Sequence, residues 1–257
     1  MSAASRAGSA ALFSQALRSR RACRAFDASA PPVARAALLR LLELTQRATP
    51  SSFNAQPWSV VAVEGAAAKA ALADAMVGGG NAARVRAAGV SVVFLADLEP
   101  SRRAARIAAL ERESGRLPED LVAQLPLLIA GWAGEGKLAY AAKRIASLAL
   151  SPLQPTPTVS TSEAWAYKHA AMAAQTYMLA ASAHGLDTCP MEGFDSQRVC
   201  AALGVSERWG VPLIVATGTA ADPPPSTPSP RLRPEEVLFL DTYGVPLVVA
   251  EEEGGGR

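Results

Sequence analysis

The chain has 257 residues, half of them hydrophobic and 19% charged, with a formal net charge of +2. That length and apolar fraction describe a folded globular protein with a core of its own and exclude a disordered chain. The small net charge gives no electrostatic case for nucleic acid or a membrane surface as a partner, and no unbroken apolar run reaches the roughly 18 residues that cross a bilayer.

The first 26 residues are rich in Arg, Ser and Ala and carry no acid, a composition like that of a short transit peptide. The chain is read as cytoplasmic, with an organellar address left open. Leucines at helical spacing predict a helix over 33–48, entered through Pro31 and Pro32. A polar run follows and leads into a strand over 58–64, where Trp58, Val60, Val61 and Val63 are aromatic or β-branched. A helix is predicted over 66–76, stopped by "VGGGN". The apolar run "VSVVFLA" predicts a buried strand over 90–96. Residues 102–150 read as helix, broken near Pro118 and at 131–136. A long apolar helix spans 163–184 and ends at Gly185, a short helix covers 195–203, and a second buried strand covers 211–217. "ADPPPSTPSPRLRPEE" reads as a proline-stiffened surface loop.

The three cysteines, Cys23, Cys189 and Cys200, lack C-x-x-C spacing, so neither a disulfide framework nor zinc is expected, and a reducing compartment is the default. No G-x-G-x-x-G follows the first strand, and "VGGGNAARVR" lacks the GK[ST] of a P-loop. His169 and His184, on the long apolar helix, read as structural, as do Trp132, Tyr140 and Trp165.

Four stretches could carry chemistry. In "RRACRAF", Arg20 and Arg24 lie four apart, so on a helix they would share a face and could converge on a phosphate or carboxylate; a solvated basic surface has the same pattern. Asn81 and Arg84 would share a face just past the glycine stop. "DTCPMEGFD" could turn backbone N–H groups near Glu192 and Gly193 toward a ligand, or be a plain helix-to-helix turn. Arg231 and Arg233 form a second basic pair. A fifth stretch, "PSSFNAQPW", sets hydroxyl and amide groups directly before a strand, as a bland connection or as a binding loop.

Taken together and in order, these stretches resemble the nitroreductase family. "RRACRAF" looks like its R-x-S-x-[RK]-x-F, and "PSSFNAQPW" looks like its P-S-S-x-N-x-Q-P-W. "NAAR", "GLDTCPMEGFD" and "RLR" resemble its later elements. The resemblance implies an α+β fold with a central mixed or antiparallel sheet flanked by helices, in an intertwined homodimer with FMN at each subunit interface. It implies an N-terminal segment over 1–19, an FMN-binding domain over 20–250 and a flexible acidic, glycine-rich tail over 251–257.

Carried over, Arg20, Arg24, Arg231 and Arg233 would hold the FMN phosphate and ribityl chain, and Asn81 and Arg84 the ring edge and ribityl oxygens. Pro190, Glu192 and Gly193 would lie along the isoalloxazine, with a backbone N–H reaching N5. Pro50, Ser51, Ser52 and Asn54 would come from the partner subunit. Ala22 departs from the family pattern, which has a hydroxyl there. The expected activity is hydride transfer from NADH or NADPH through FMN to a nitro, quinone or related small-molecule acceptor. Other flavin chemistry, such as dehalogenation or enal reduction, and a flavin sensor or store without turnover are the alternatives.

Overall fold

In the computed structural model the described residues are 3–223, 227 and 229–247. The chain divides into two compact units, 1–222 and 223–257. The tail expected over 251–257 lies outside the described residues.

The first unit is built on four antiparallel strands: β1 (Trp58–Val63), β2 (Val90–Asp97), β3 (Asp187–Met191) and β4 (Trp209–Gly218), in the order β1-β2-β4-β3. The sheet is therefore antiparallel throughout. β2 is buried along its whole length, as its largely apolar sequence requires of a central strand covered on both faces. It pairs Val61 with Val93 on one side and Ile214 with Val93 on the other.

Helices cover both faces. On one side lie α2 (Arg35–Ala48) and α8 (Ser162–Ala183), packed on Val90, Val92, Phe94 and Val215. In α2, Leu38, Leu41 and Thr45 face inward at helical spacing. In α8 the inward stripe is largely alanine, with Ala166, Ala170, Ala173 and Ala174 fully or almost fully buried, so the helix axis can approach the sheet closely. Tyr177 stands among them and donates its hydroxyl to Thr217 Oγ1 at 3.0 Å; burial pushes this phenol up to about 12. The other face carries α3 (Ala66–Asp74), α4 (Gly79–Ala87) and α9 (Ser196–Leu203), packed on Val63, Val93, Met191 and Ile214. Thr161 caps α8 by accepting from Ala164 N–H, and Asp195 caps α9 by accepting from Gln197 and Arg198.

Between β2 and α8 come α5 (Ser101–Ser114), α6 (Glu119–Trp132) and α7 (Lys137–Leu150), which match the predicted breaks at Pro118 and at 131–136. α5 and α6 build smaller cores with Phe53 and Trp165. α7 has no buried residue, and Leu138, Ile145 and Leu148 on it are exposed. Two elements depart from the sequence reading. The N-terminal segment holds a helix, α1 (Ala3–Ser19), joined to α8 through Ser19 and Ser182, whose hydroxyls are 3.0 Å apart. The run 187–191 is strand β3 and not part of a turn.

The second unit holds a single-turn helix, α10 (Pro234–Val237), and a bridge between Phe239 and Pro246.

Candidate functional site

α1 ends at Ser19, so Arg20 and Arg24 are not on a helix, and the four-residue spacing does not by itself give them a common face. The chain runs extended beside β3: Ala22 bridges Thr188 in parallel, and Cys23 N–H donates to the Thr188 carbonyl at 2.8 Å. Cys23 is buried, whereas Ala22 and Arg24 on either side of it are exposed and Arg20 is half-buried. Arg21 is taken up by Asp187, at 3.3 Å. Among the described residues, neither Arg20 nor Arg24 has a carboxylate partner. Arg20 instead lines a cavity of about 130 Å³ with Ser19, Ser182, Gly185 and Thr188.

β3 is an edge strand on β4, pairing Pro190 with Val215. An edge strand tolerates proline, which cannot donate to a ladder; the other strand proline, Pro212 of β4, sits at the irregularity in its pairing with β2. Pro190 is exposed there, followed by exposed Glu192 and half-buried Gly193. Proline and glycine at these positions are what make the sequence read as a turn.

α4 presses against this edge. Arg84 Nη1 donates to Asn81 Oδ1 at 2.6 Å, and Arg84 Nε donates to the Arg24 carbonyl at 3.0 Å. Asn81 Nδ2 donates to the Gly193 carbonyl at 3.3 Å, and that same oxygen accepts from Val77 N–H at 2.9 Å. Three stretches far apart in sequence, around Arg24, Asn81 to Arg84, and Gly193, are thereby one hydrogen-bonded group. The approach is close: a Cβ on Gly193 would lie 2.8 Å from Asn81 Nδ2. Cys189 belongs to the same region. Burial pushes its thiol up, with Arg84 and Arg24 pulling the other way, so it is a poor thiolate and fits a small core side chain.

The Pro50–Asn54 loop is elsewhere. It precedes β1, and β1 and β3 are opposite edges of the sheet, three inter-strand steps or roughly 14 Å apart. Among the described residues, its hydrogen bonds run to α5 and α8 and not to the Arg24 group. Ser52 N–H donates to His169 Nε2 at 3.1 Å, Asn54 Nδ2 donates to Glu111 Oε1 at 2.7 Å, and Ser51 Oγ accepts from Gln56 N–H at 3.0 Å. Arg103 Nη1 reaches the Gln56 and Trp58 carbonyls at 2.9 and 3.0 Å. Phe53 packs edge-on against Trp132, with ring centroids 5.8 Å apart. Below the loop opens an apolar cavity of about 540 Å³, lined by Pro50, Phe53, Leu117, Leu121, Leu125 and the Arg116 side chain.

Glu111 is the least expected member. It sits on the buried stripe of α5 with Ala104, Ile107 and Ala108. Its carboxyl is held below the usual carboxylate range by hydrogen bonds from Arg116 and, more weakly, from Asn54, against the opposing effect of burial. An acid at an apolar-stripe position is a signal the sequence does contain. His169 is visible in the sequence too, but its partner lies 117 positions away, and no local pattern announces it.

Arg231 and Arg233 stand in the second unit and make local bonds. Arg231 donates to the Ser229 and Pro230 carbonyls, and Arg233 pairs with Glu236 at 3.3 Å.

Comparison with known proteins places this geometry in a family. Residues 17–219 match the model of the nitroreductase family. A Thermus thermophilus protein named NADH dehydrogenase is 32% identical over 210 residues, covering 81% of this chain and 86% of that protein. A Bacillus subtilis protein classed as an NAD(P)H nitroreductase is 25% identical, covering 80% of this chain and 89% of its own. Among solved structures, one from Exiguobacterium sibiricum, classed as a nitroreductase and determined with FMN, superposes with a TM-score of 0.69 at 21% identity, over 89% of this chain and 96% of that one. An oxidoreductase-class protein of Staphylococcus epidermidis gives 0.70 at 23% identity, over 89% and 95%. The chain belongs to the nitroreductase family, and its α+β fold is the one that its motifs led us to expect.

Proposed function

We propose that this nitroreductase-family oxidoreductase holds FMN along the β3 edge and uses NAD(P)H to reduce a nitro, quinone or related small-molecule acceptor. The observation that carries the reading is the assembly of Arg20, Arg24, Asn81, Arg84, Pro190 and Gly193 on that one edge, where a Cβ at residue 193 would press on the Asn81 amide. The names of the relatives from Thermus thermophilus and Bacillus subtilis support the electron donor.

The residues present fit the cofactor. Two arginines without carboxylate partners suit a dianionic phosphate, because each guanidinium can bond it bidentately. A planar ring system needs close backbone approach, which Gly193 supplies, and a flat apolar contact, which Pro190 supplies. Arg20 and Arg24 would neutralise the phosphate and ribityl end. Asn81 and Arg84, locked to each other, would present fixed polar groups to the ring edge. Glu192 and Gly193 would offer backbone groups along the ring. Bound FMN would supply the two-electron redox chemistry, and the protein supplies its position and field. No role in the cleft is assigned to Arg231 or Arg233.

The Pro50–Asn54 loop is three strands away from this edge in its own chain. We assign it to the cofactor site of a second copy, which makes the working unit a homodimer with a site at each interface. The uncovered face of α7 gives such a copy an apolar surface to bury.

The test is the absorbance of the purified protein between roughly 350 and 500 nm, before and after anaerobic NADPH and then NADH. Flavin bands that bleach with a donor and return on adding a quinone support the reading. Bands that ignore both donors favour a flavin store or sensor, and a colourless protein that takes up no FMN overturns it.

A further inference from the structure

The loop that this reading gives to the second copy is unusually constrained. Phe53, Asn54 and Gln56 have φ of 56°, 51° and 45°, and among the described residues the one other non-glycine residue at positive φ is Asp241. Side chains enter this left-handed region at a cost, so three in four residues persist only where the surroundings over-determine them. The later half of the loop is held by Glu111 on Asn54 and by Arg103 on the Gln56 carbonyl. Its earlier half closes on itself through the Ser51 and Ser52 carbonyls, and is tied to α8 by His169, which accepts from the Ser52 N–H.

The geometry around His169 fixes its state. Nδ1 lies 2.7 Å from the Trp165 carbonyl, which can only accept, so Nδ1 carries the proton. Nε2 is then left with a lone pair, and the Ser52 N–H at 3.1 Å donates into it, with the Ser52 hydroxyl at 3.2 Å. The ring is 2% exposed and is held edge-on by Trp165, centroids 4.5 Å apart. A neutral imidazole in one tautomer, fixed from both ends and clamped by an indole, is a rigid acceptor placed under Ser52, directly before the left-handed run.

We propose that His169 is a positioning residue: through the Ser52 amide it holds the Pro50–Asn54 loop in the form that meets the FMN of the second copy. This rests on the reading above that the loop completes that site. A histidine that merely filled the core would matter through its volume. A positioning histidine matters through the acceptor at Nε2, and a glutamine, whose side-chain carbonyl reaches about as far as Nε2, can replace that acceptor. An asparagine reaches only as far as Nδ1 and cannot.

The experiment compares the full-length protein with the His169→Gln and His169→Asn variants. FMN affinity is read by quenching of free FMN fluorescence, and backbone amide exchange is followed over residues 49–58. The expected result is that His169→Gln keeps FMN affinity within threefold and keeps the Ser52 amide protected. His169→Asn should lose at least tenfold in affinity and release that amide, while amides on β2 stay protected in both. Equal losses in both variants, no loss in either, or an unprotected Ser52 amide in the parent protein overturns the proposal. If His169→Asn does not fold, the parent and His169→Gln still decide it, because a Gln variant that loses FMN or Ser52 protection sinks it. A parent protein that binds no FMN at all overturns the functional reading itself, an outcome marked apart by an intact Ser52 protection pattern.

Discussion

Asn81 Nδ2 lies 2.8 Å from the place a Cβ on residue 193 would take, while donating to the Gly193 carbonyl at 3.3 Å. The amide cannot swing aside freely, because Arg84 holds its other end at 2.6 Å. Gly193→Ala should therefore cost little stability, about 1 kcal/mol, but break the Asn81–Arg84 arrangement. We expect FMN affinity to fall by roughly tenfold with a thermal midpoint within a few degrees of the parent. A fluorescence titration beside a melting curve checks both halves.

Arg24 sends its carbonyl to Arg84, while its guanidinium has no carboxylate partner among the described residues. Replacing it by Gln removes a cation without removing a fold contact. FMN affinity should drop by roughly 10- to 100-fold, as for the loss of a charge-assisted hydrogen bond, and riboflavin, which lacks the phosphate, should be affected far less. An equal loss for both ligands would place Arg24 away from the phosphate.

Ala22 stands exposed between Arg20 and Arg24 on the extended segment, where the family pattern has a hydroxyl. Ala22→Ser adds one donor between the two arginines. FMN should bind roughly fivefold more tightly, the worth of about 1 kcal/mol, with no change in melting behaviour. The same titration reads it directly.

Glu111 couples the loop to acid. Its carboxyl titrates below its ordinary value of 4.5, chiefly because Arg116 bonds the charged form. A depressed carboxylate stabilises the fold fully above that ordinary value, and the contribution is lost as pH falls through the depressed one. Glu111→Gln should be less stable than the parent by about 1–2 kcal/mol at neutral pH, and the gap should close as pH drops below 4.5. Urea midpoints measured from pH 7 downward test the sign; a gap that widens in acid contradicts it.

Gly134 tests the contact between the link after α6 and the segment that enters α8. Its φ is +61°, and a Cβ would fall 1.9 Å from the Ser160 carbonyl. Because the obstacle is backbone, Gly134→Ala should destabilise by about 2–4 kcal/mol, visible as a lowered thermal midpoint.

Much of the fold is legible in the sequence where a single element carries its own period. The leucines of α2 and the run "VSVVFLA" of β2 fall where expected. β3 is hidden because Pro190 and, just past the strand, Gly193 read as turn residues, and the edge position that admits Pro190 is a tertiary fact. The basic pair Arg20 and Arg24 is legible, but its setting is not: the segment is held beside β3 by the bridge from Ala22 to Thr188, 166 positions on by residue number (188 − 22). For the candidate site, motif order brings Asn81, Arg84 and Gly193 to notice, and the structure joins them. His169 escapes, since it acts on the loop through one bond to a residue distant in sequence, and Glu111 leaves only the trace of an acid on an apolar stripe.

The strand order has a further consequence, for the time the chain takes to fold. The centre of the sheet pairs Val90 with Thr217, 127 positions apart by residue number (217 − 90), and every helix from α5 to α9 lies inside that span. Closing so long a loop loses entropy before any ladder bond returns it, so β2 and β4 must meet late. Until then "VSVVFLA", β-prone and uncharged, has one of its two neighbours missing and presents an open ladder to other chains. Slow refolding that loses yield steeply with protein concentration is the behaviour this topology imposes.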